Sequence, residues 1–326
     1  MDKVKAKACA NIALIKYWGK KDETLILPYN NSISLTLKEF YTITEVEKIK
    51  DGTDKDIFYL NGKLQDDKET EKISHFIDLF REKAKSNERV KVTSNNFFPT
   101  AAGLASSASG YACLAGALNE LFDLGLDKKA LSRMARRGSG SATRSVYGGL
   151  VEWHAGHDDK SSYAEKIDEA NWDIGMLAVI VNGKKKKVLS RAGMAQTVKT
   201  CPYYPAWVES AKVDIKNMKE AIKEKDLERI GKLAEASALK MHATMMTTEP
   251  SIIYFEEESI SVIKMVQEMR QEGMLAYFTM DAGPNVKIIT NSKNKDQVIE
   301  RLSQIIDRDR LIYSEVGSDL EILDKM

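Results

Sequence analysis

The chain has 326 residues, of which 43% are hydrophobic and 30% are charged, and its formal net charge at pH 7 is +1. That length is enough for a large hydrophobic core in one or two domains, and the balanced charge argues against a nucleic-acid-binding or membrane-surface protein. The sequence shows no secretory signal, no apolar run of membrane-spanning length, and no disulfide or metal-ligand spacing among Cys9, Cys113 and Cys201, which together predict a cytoplasmic protein.

The N-terminal half combines strand and helix patterns. Alternating or β-branched residues predict strands, in chain order, over residues 4–15, 41–46, 56–60, 90–94 and 176–181. Asn11 is expected to interrupt the first of them, and Asn61-Gly62 predicts a hairpin turn after the third. Apolar spacing predicts helices over residues 73–80, 107–122 and 127–137, the last with Asp127 as its N-cap and Gly138 at its C′ position.

The C-terminal half is mainly helical. Helical patterns cover residues 207–245, 259–273 and 296–307, and two strand patterns, 276–280 and 286–289, lie between the second and third helices. A domain boundary is expected at the lysine run 184–187, which divides the chain into domains 1–183 and 184–326. Strands clustered early and helices late predict an α+β fold rather than a doubly wound sheet.

A possible phosphate site lies in the segment Pro99-Thr-Ala-Ala-Gly-Leu-Ala-Ser-Ser-Ala108. Small residues, a glycine and two hydroxyls form a turn that opens onto a helix, where backbone N–H groups and the helix dipole favour a phosphate. The segment is not a Walker P-loop, because no Gly-x-x-x-x-Gly-Lys-Ser/Thr pattern occurs in the chain. A close-packed, serine-capped helix explains the same residues about as well.

Two further segments place cations and hydroxyls at turns. The strand that ends in Lys16-Tyr17-Trp18-Gly19-Lys20 presents cations and a phenol, which suit an anionic ligand but are more typical of a solvated strand end. Residues 136–145 place three arginines around a Gly-Ser-Gly-Ser turn, and the planar guanidinium group suits a carboxylate or a phosphate. The alternative for this segment is an exposed helix–loop–helix joint.

The last two candidate segments lie in the second half. Residues 184–191 contain four lysines, most often a solvated hairpin tip, followed by Ser190 and Arg191. In residues 277–285 an apolar strand ends at Asp281, before a Gly-Pro turn, and a partly desolvated carboxylate there suits general-base work. A turn-starting aspartate is the alternative. None of the four histidines has the spacing of a zinc site, and His242, in a Met-rich helix, is expected to serve in packing.

Taken together, these segments resemble the GHMP small-molecule kinase superfamily. Residues 99–108 look like its Pro-x-x-x-Gly-Leu-x-Ser-Ser-Ala phosphate loop, residue by residue. Within that superfamily, residues 10–20, 137–145 and 280–285 are similar to signatures of the diphosphomevalonate decarboxylase family. The motifs extend from residue 10 to residue 285, so the resemblance covers nearly the whole chain.

One departure separates the chain from the kinases of that superfamily. In many of them an aspartate follows the turn that corresponds to residues 138–143, whereas here the neighbourhood reads Ser141, Ala142, Thr143 and Arg144. The base must therefore come from elsewhere, and Asp281 is the available carboxylate. A metabolite kinase and a catalytically silent ligand-sensing protein on the same scaffold are the alternatives. The missing aspartate argues against the first, and Asp281 with Ser106 argues against the second.

The resemblance implies an α+β fold of two domains, an N-terminal α+β domain with the phosphate loop and a C-terminal ferredoxin-like domain, with the active site in the cleft between them. It also implies a homodimer. The implied reaction converts mevalonate 5-diphosphate and ATP, with Mg²⁺, to isopentenyl diphosphate, ADP, phosphate and carbon dioxide. The 3-hydroxyl of the substrate is phosphorylated on the way, because a tertiary hydroxyl is a poor leaving group.

Residue roles follow from the same resemblance. The expected catalytic residues are Asp281, which takes the proton of the 3-hydroxyl, Arg144, which pairs with the substrate carboxylate, and Lys20. The expected substrate-binding residues are Tyr17, Trp18, Lys20, Ser139, Gly140, Ser141, Arg144, Ser190, Arg191, Met194 and Ala282. The expected ATP-binding residues are Ser94, Ala102, Gly103, Leu104, Ala105, Ser106, Ser107 and Lys187. Ser106 is also the expected Mg²⁺ ligand.

Overall fold

The computed structural model describes residues 1–50, 52–98, 106–181 and 188–326. In this part of the chain the larger sheet has eight strands. They are β1 (Lys3–Ile15), β4 (Ser32–Lys48), β5 (Ile57–Leu60), β6 (Lys63–Leu64), β7 (Val90–Phe97), β8 (Leu150–Trp153), β9 (Ala164–Asp168) and β14 (Glu321–Lys325). Six of them follow the order β14-β1-β4-β7-β5-β6, while β8 pairs with β4 and β9 with β8. The short strands β2 (Lys20–Asp22) and β3 (Leu27–Pro28) form a separate ribbon.

Strand β1 is continuous through Asn11, so the predicted interruption is wrong. Its pairing register with β4 shifts between Cys9 and Ala10 instead, and Asn11 stays opposite Thr36. Buried residues alternate with partly exposed lysines at the start of the strand, whereas every residue from Ala8 to Ile15 is buried. The second half of β1 therefore lies inside the molecule, and it leads directly to the turn that carries Tyr17.

Three helices pack with this sheet: α1 (Asp67–Ala84), α2 (Ser107–Leu121) and α3 (Lys128–Gly138). The Asp127 carboxylate accepts a hydrogen bond from the Ala130 N–H, which confirms the predicted N-cap. Gly138 is the last helical residue rather than C′, because Ser139 takes the C-cap position. Close packing accounts for this glycine, since a Cβ on Gly138 would lie 2.1 Å from the Tyr111 ring.

The smaller sheet has the ferredoxin-like order β11-β12-β10-β13, and all of its pairs are antiparallel. Its strands are β10 (Gly175–Val179), β11 (Tyr277–Met280), β12 (Val286–Thr290) and β13 (Leu311–Ser314). Its helices are α4 (Ser190–Thr200), α5 (Tyr204–Glu224), α6 (Leu227–Met246), α7 (Glu257–Gln271) and α8 (Lys295–Leu302). The helical patterns predicted over residues 207–245 belong to two helices, which are separated where Lys225 adopts a left-handed conformation and Asp226 caps α6. The predicted α+β architecture is confirmed.

One of the buried apolar clusters lies between the two sheets. Apolar side chains from β1, such as Leu14 and Ile15, belong to the same buried cluster as Met218 of α5 and Ile230 of α6. The predicted boundary between residues 183 and 184 lies outside the described residues and stays a prediction. Strand β10 comes before that boundary and pairs within the smaller sheet, while β14 comes after it and pairs with β1. In the described ranges no helix combines the length and apolarity needed to cross a membrane.

Candidate active site

A cleft of about 260 Å³ lies where the end of β1, the start of α2, the 3₁₀ helix Gly140–Val146, the first turns of α4 and the β11–β12 turn meet. The structure brings most of the predicted site residues to this cleft. Those that line it are Tyr17, Trp18, Lys20, Ser107, Ser139, Gly140, Ser141, Arg144, Ser190, Arg191, Met194, Asp281 and Ala282. Segments more than 260 residues apart in sequence therefore contribute to one site.

The Asp281 carboxylate, directly after β11, lies between two ammonium groups. Lys16 Nζ is 2.7 Å from Oδ1, and Lys287 Nζ is 3.7 Å from Oδ2. Both lysine side chains are almost wholly buried, whereas the Asp281 side chain is 38% exposed. Burial lowers the pKa of Lys16 to about 8 and also lowers that of Lys287, although Asp281 opposes both shifts. The exposed part of the carboxylate thus faces the cleft, and its buried part contacts two cations and not an apolar surface.

Arg144 is held rigidly beside this group. It lies in the 3₁₀ helix and is 2% exposed. Its Nε donates to Asn11 Oδ1 at 3.2 Å, and its Nη1 donates to Ser32 Oγ at 2.5 Å. Burial lowers the pKa of Arg144 to about 10, which leaves the guanidinium charged at neutral pH. Among the ion pairs of the described residues none includes Arg144, so its charge is available to an anionic ligand.

The turn after β1 supplies a second group of polar side chains. The Tyr17 hydroxyl is buried and has no hydrogen-bond partner among the described residues, and burial raises its pKa. Lys20 Nζ contacts Glu23 Oε2 at 2.5 Å. The 3₁₀ helix approaches this turn closely, because a Cβ on Gly140 would lie 2.9 Å from the Tyr17 hydroxyl. An acceptor in the cleft would satisfy the Tyr17 O–H.

Hydroxyl groups and a helix N-terminus complete the cleft. Ser139 Oγ is 3.4 Å from Ser107 Oγ and 3.2 Å from Ser141 Oγ. The opposite side is the first turn of α4, which presents Ser190 and the exposed Arg191. Helix N-termini favour anions through their free N–H groups and dipole. The whole arrangement suits a ligand that carries several negative charges.

Comparison with known proteins gives the family. Residues 8–164 match the model of a diphosphomevalonate decarboxylase-like N-terminal domain, and residues 176–320 match that of a mevalonate 5-diphosphate decarboxylase C-terminal domain. The diphosphomevalonate decarboxylase of Candida albicans is 36% identical over 312 residues, which are 90% of this chain and 86% of that protein. The chain belongs to the diphosphomevalonate decarboxylase family. The resemblance drawn from the motifs is thereby confirmed.

Solved structures of this family agree with the fold. A structure of a protein called MDDEF, in complex with MVAPP, AMPPCP and magnesium, has a TM-score of 0.95 and 45% identity, with 99% of each chain covered. The mevalonate diphosphate decarboxylase of Staphylococcus aureus has a TM-score of 0.95 and 47% identity, with 99% of this chain and 98% of that chain covered. The two-domain family fold is therefore confirmed over nearly the whole chain.

Some predicted residues are not among those that line the cleft. Ser94 lies in β7, and its Oγ is 2.6 Å from Oγ1 of Thr44 on the adjacent strand β4. It does not line the cleft. Ser106 occupies the N-cap of α2. The predicted ATP-binding residues Ala102, Gly103, Leu104, Ala105 and Lys187 lie outside the described residues. The ATP-binding assignments of all these residues stay predictions.

Sequence reasoning missed several polar residues of the cleft. Lys16 and Asn11 lie in the candidate segment 10–20 but were given no role, and Lys287 was in no candidate segment. Asn11 donates to the Ser141 carbonyl and to Ser145 Oγ. A signal for the lysines existed. Each is a lone cation in an otherwise apolar strand segment, Ala13-Leu-Ile-Lys16 and Val286-Lys-Ile-Ile289. Because charged residues are seldom buried without a partner, such positions point to a buried carboxylate nearby.

His242 packs as expected, but one of its ring nitrogens lacks a hydrogen-bond partner among the described residues. Its ring lies 4.6 Å from that of Phe255, and the residue is 2% exposed. The Nε2 atom has no hydrogen-bond partner within the described part of the chain. Burial, together with the charge of Lys16, lowers the pKa of His242 to about 4. The imidazole is therefore neutral at physiological pH.

Proposed function

We propose that this chain catalyses the ATP-dependent decarboxylation of mevalonate 5-diphosphate to isopentenyl diphosphate, with release of ADP, phosphate and carbon dioxide. The observation that supports this most strongly is that one accessible carboxylate, Asp281, and a buried guanidinium, Arg144, which forms no ion pair with another described residue, both line the cleft of a diphosphomevalonate decarboxylase family member. The Asp281 carboxylate can accept the proton of the hydroxyl that is phosphorylated, and the Arg144 guanidinium can bind the carboxylate that leaves as carbon dioxide.

The reaction requires a leaving group before carbon dioxide can depart. Transfer of the γ-phosphoryl of ATP to the tertiary 3-oxygen converts a poor leaving group into a good one. Phosphate then leaves with the C–O electron pair, and cleavage of the bond to the carboxyl carbon supplies the electrons of the new alkene. The protein contributes positioning and charge neutralisation to the transfer.

Asp281 is the proposed proton acceptor. Its exposed edge faces the cleft, while Lys16 holds Oδ1 at 2.7 Å. Lys16 is itself fixed, because Nζ also donates to the Ala13 carbonyl at 2.7 Å. The carboxylate is thus oriented before substrate binds. It accepts the proton of the 3-hydroxyl as the oxygen bonds to phosphorus.

Arg144 is the proposed partner of the substrate carboxylate. Asn11 and Ser32 hold Nε and Nη1 of the guanidinium, and Arg144 lines the cleft with further N–H groups left for a ligand. A planar fork fixes the orientation of a carboxylate as well as its charge. That orientation keeps the breaking carbon–carbon bond aligned with the departing phosphate.

The substrate diphosphate is assigned to the other end of the cleft. Tyr17 and Lys20 lie on the turn after β1, and Ser190 and Arg191 lie on the first turn of α4. Ser139 and Ser141 contribute hydroxyl donors between them. Two cations, four hydroxyls and a helix N-terminus match the charge and the acceptor oxygens of a diphosphate.

ATP and Mg²⁺ are assigned to the side of the cleft where α2 begins. Ser106 occupies the N-cap of α2, but its side chain makes no capping hydrogen bond, so its oxygen suits a hard cation. Mg²⁺ is usually held by few protein oxygens together with phosphates and waters, and a hydroxyl at this position fits that pattern. When bound, the ion neutralises phosphate charge. Ser107, which lines the cleft, is the proposed donor to the ATP phosphates.

A metabolite kinase is the alternative function. The 3₁₀ helix contains no carboxylate, and its residues Ala142 and Thr143 are fully buried, so the position where many of those kinases have an aspartate offers no base. The test is an assay with ATP, Mg²⁺ and mevalonate 5-diphosphate labelled in the carboxyl carbon. Equal amounts of ADP and labelled carbon dioxide are expected. ADP without carbon dioxide would indicate a kinase, and the absence of both products would refute the proposal.

We also propose a cytoplasmic homodimer. All three cysteines are free and buried, as suits a reducing compartment. The dimer is supported by the family resemblance alone. Light scattering should give about twice the 36.6 kDa of one chain, and a mass of one chain would refute it.

A further inference from the structure

The Thr197 hydroxyl joins three segments of the chain. It accepts a hydrogen bond from Trp18 Nε1 at 3.0 Å, and it lies 2.9 Å from the Gly193 carbonyl and 3.1 Å from Thr248 Oγ1. Trp18 is 2% exposed, Thr197 is 0% and Thr248 is 4%. We call Trp18, Thr197 and Thr248 the threonine junction. It links the turn after β1, helix α4 and the chain that follows α6.

A methyl group cannot replace the Thr197 hydroxyl in this junction. An indole nitrogen can only donate, and a hydroxyl has one proton and two acceptor positions. Because Thr197 accepts from Trp18, its own proton goes to the Gly193 carbonyl or to Thr248. Loss of the hydroxyl would leave the buried indole N–H without its acceptor, which costs more than the hydrogen bond itself contributes.

The junction fixes the position of α4 relative to Trp18. Ser190, Met194 and Thr197 are spaced four and three residues apart, so they lie on one face of the helix. The helix approaches the indole closely, since a Cβ on Gly193 would lie 3.2 Å from the Trp18 ring. The backbone of Trp18 is held as well, because the Tyr204 hydroxyl donates to its carbonyl at 2.7 Å.

The residues on either side of this contact are those assigned to the substrate diphosphate. Tyr17 and Lys20 flank Trp18, and Ser190 and Arg191 are the first residues of α4. We propose that Thr197 is a positioning residue that ties these two walls of the diphosphate pocket together. It does not touch the substrate. The proposal rests on the proposed function, because it takes the ligand of this pocket to be a diphosphate.

The experiment compares three variants. Thr197→Val removes the hydroxyl at nearly constant volume, and Thr197→Ser restores it. Thr200→Val is the matched control, because Thr200 lies on the same helix and its hydroxyl is likewise hydrogen-bonded, to the Gln196 carbonyl and the Glu249 N–H, away from Trp18. Steady-state kinetics give KM for mevalonate 5-diphosphate, KM for ATP and kcat. Calorimetry with inorganic pyrophosphate gives a Kd that does not depend on turnover.

Thr197→Val is expected to raise both KM for mevalonate 5-diphosphate and Kd for pyrophosphate by roughly tenfold, as the loss of a buried hydrogen-bond acceptor predicts. KM for ATP and kcat should change less than about twofold, as should every constant of Thr200→Val, and Thr197→Ser should resemble the wild type. Unchanged constants in Thr197→Val, or equal losses in Thr200→Val, would overturn the proposal.

Two further measurements distinguish a failure of the proposal from a failure to fold and from a failure of the proposed function. If Thr197→Val does not fold, Trp18→Phe removes the donor while keeping an aromatic ring, and the same rise in Kd for pyrophosphate is expected. An unchanged Kd in that variant would overturn the junction. If the wild-type protein does not turn over mevalonate 5-diphosphate, the proposed function fails, while the pyrophosphate titrations still decide whether Thr197 positions an anion site.

Discussion

Replacement of Asp281 by asparagine tests the proposed chemistry most directly. The change keeps the size of the side chain but removes the charge that lies 2.7 Å from Lys16 Nζ and 3.7 Å from Lys287 Nζ. A neutral amide does not accept the proton of the 3-hydroxyl at neutral pH. The phosphoryl transfer should therefore slow, because the oxygen must attack while it still carries its proton.

Two effects of different size are expected from this substitution. Loss of a general base lowers kcat by roughly 10²–10⁴-fold. Loss of one partner from a fully buried ion pair costs about 3–5 kcal/mol of folding free energy. The Asp281 side chain is 38% exposed, so solvent screening reduces that cost to about 1–2 kcal/mol. Most of the variant should then remain folded, and its rate should report on chemistry.

Release of ADP and carbon dioxide measures the rate, and denaturant unfolding measures the stability. The double variant Asp281→Asn/Lys16→Met distinguishes two roles of Asp281. If Asp281 only neutralises the charge of Lys16, removal of both charges should restore turnover. If Asp281 accepts the proton, turnover should stay low. Asp168→Asn is the control, since Asp168 accepts from the Ala170 N–H and the Trp172 indole outside the cleft. Turnover of Asp281→Asn within tenfold of wild type, or recovery in the double variant, would refute the base role.

Three other predictions concern Arg144 and Lys16, which line the cleft, and the buried His242. Arg144→Lys should lower kcat/KM for mevalonate 5-diphosphate by roughly 30-fold or more, because an ammonium has no planar fork, and full activity would contradict the carboxylate contact. Lys16, with its pKa lowered to about 8 in the free protein, should lose its proton as the pH rises through that value, so kcat/KM should fall there, and a kcat/KM profile that stays flat well above pH 8 would contradict its role. His242, with its pKa lowered from 6.5 to about 4, binds fewer protons folded than unfolded between those values. The free energy of unfolding should therefore fall by up to roughly 3 kcal/mol as the pH drops across that window. Denaturant unfolding of the wild type and of His242→Asn measures this. An equal pH-dependent loss in His242→Asn would contradict the prediction.

The sequence predicts the long elements because their local patterns are strong. Residues 3–15 alternate before the strand becomes wholly buried, and the Asp127 cap and the Asn61-Gly62 turn have direct chemical signals. The strands β8, β9, β13 and β14 were not predicted. They are no shorter than β5 and β11, which were predicted, but the pairing that defines β14, for example, is with β1 at the other end of the chain. Helix α4 was missed because Gly193 and two threonines lower its intrinsic helix propensity.

The residues of the candidate site also fall into two groups, those that the local sequence indicates and those that it does not. Residues in turns, such as Tyr17, Ser139 and Asp281, are recognisable because glycine and hydroxyl groups surround them. Lys16 and Lys287 were given no role, because a lysine is usually solvated and only the tertiary structure, in which α6 packs against both β1 and β11, shows that both are buried. A lone lysine in an apolar segment indicates burial, but only the tertiary contacts make these two residues part of the site.

The charge of the cleft shows why whole-chain composition said so little about the ligand. The chain carries a net charge of only +1, yet Lys16, Lys287 and Arg144 lie in one cleft with Asp281 as their nearby carboxylate. Three cations against one anion leave an excess of positive charge that costs solvation free energy, as the lowered pKa values of all three groups indicate. The two proposed ligands, which together carry a carboxylate, a diphosphate and a triphosphate, would offset that cost when they bind. In the proposed reaction, positive charge that develops at carbon 3 would be unfavourable in such a cleft, so we expect it to form beside the departing phosphate and the substrate carboxylate and to be removed by the loss of carbon dioxide.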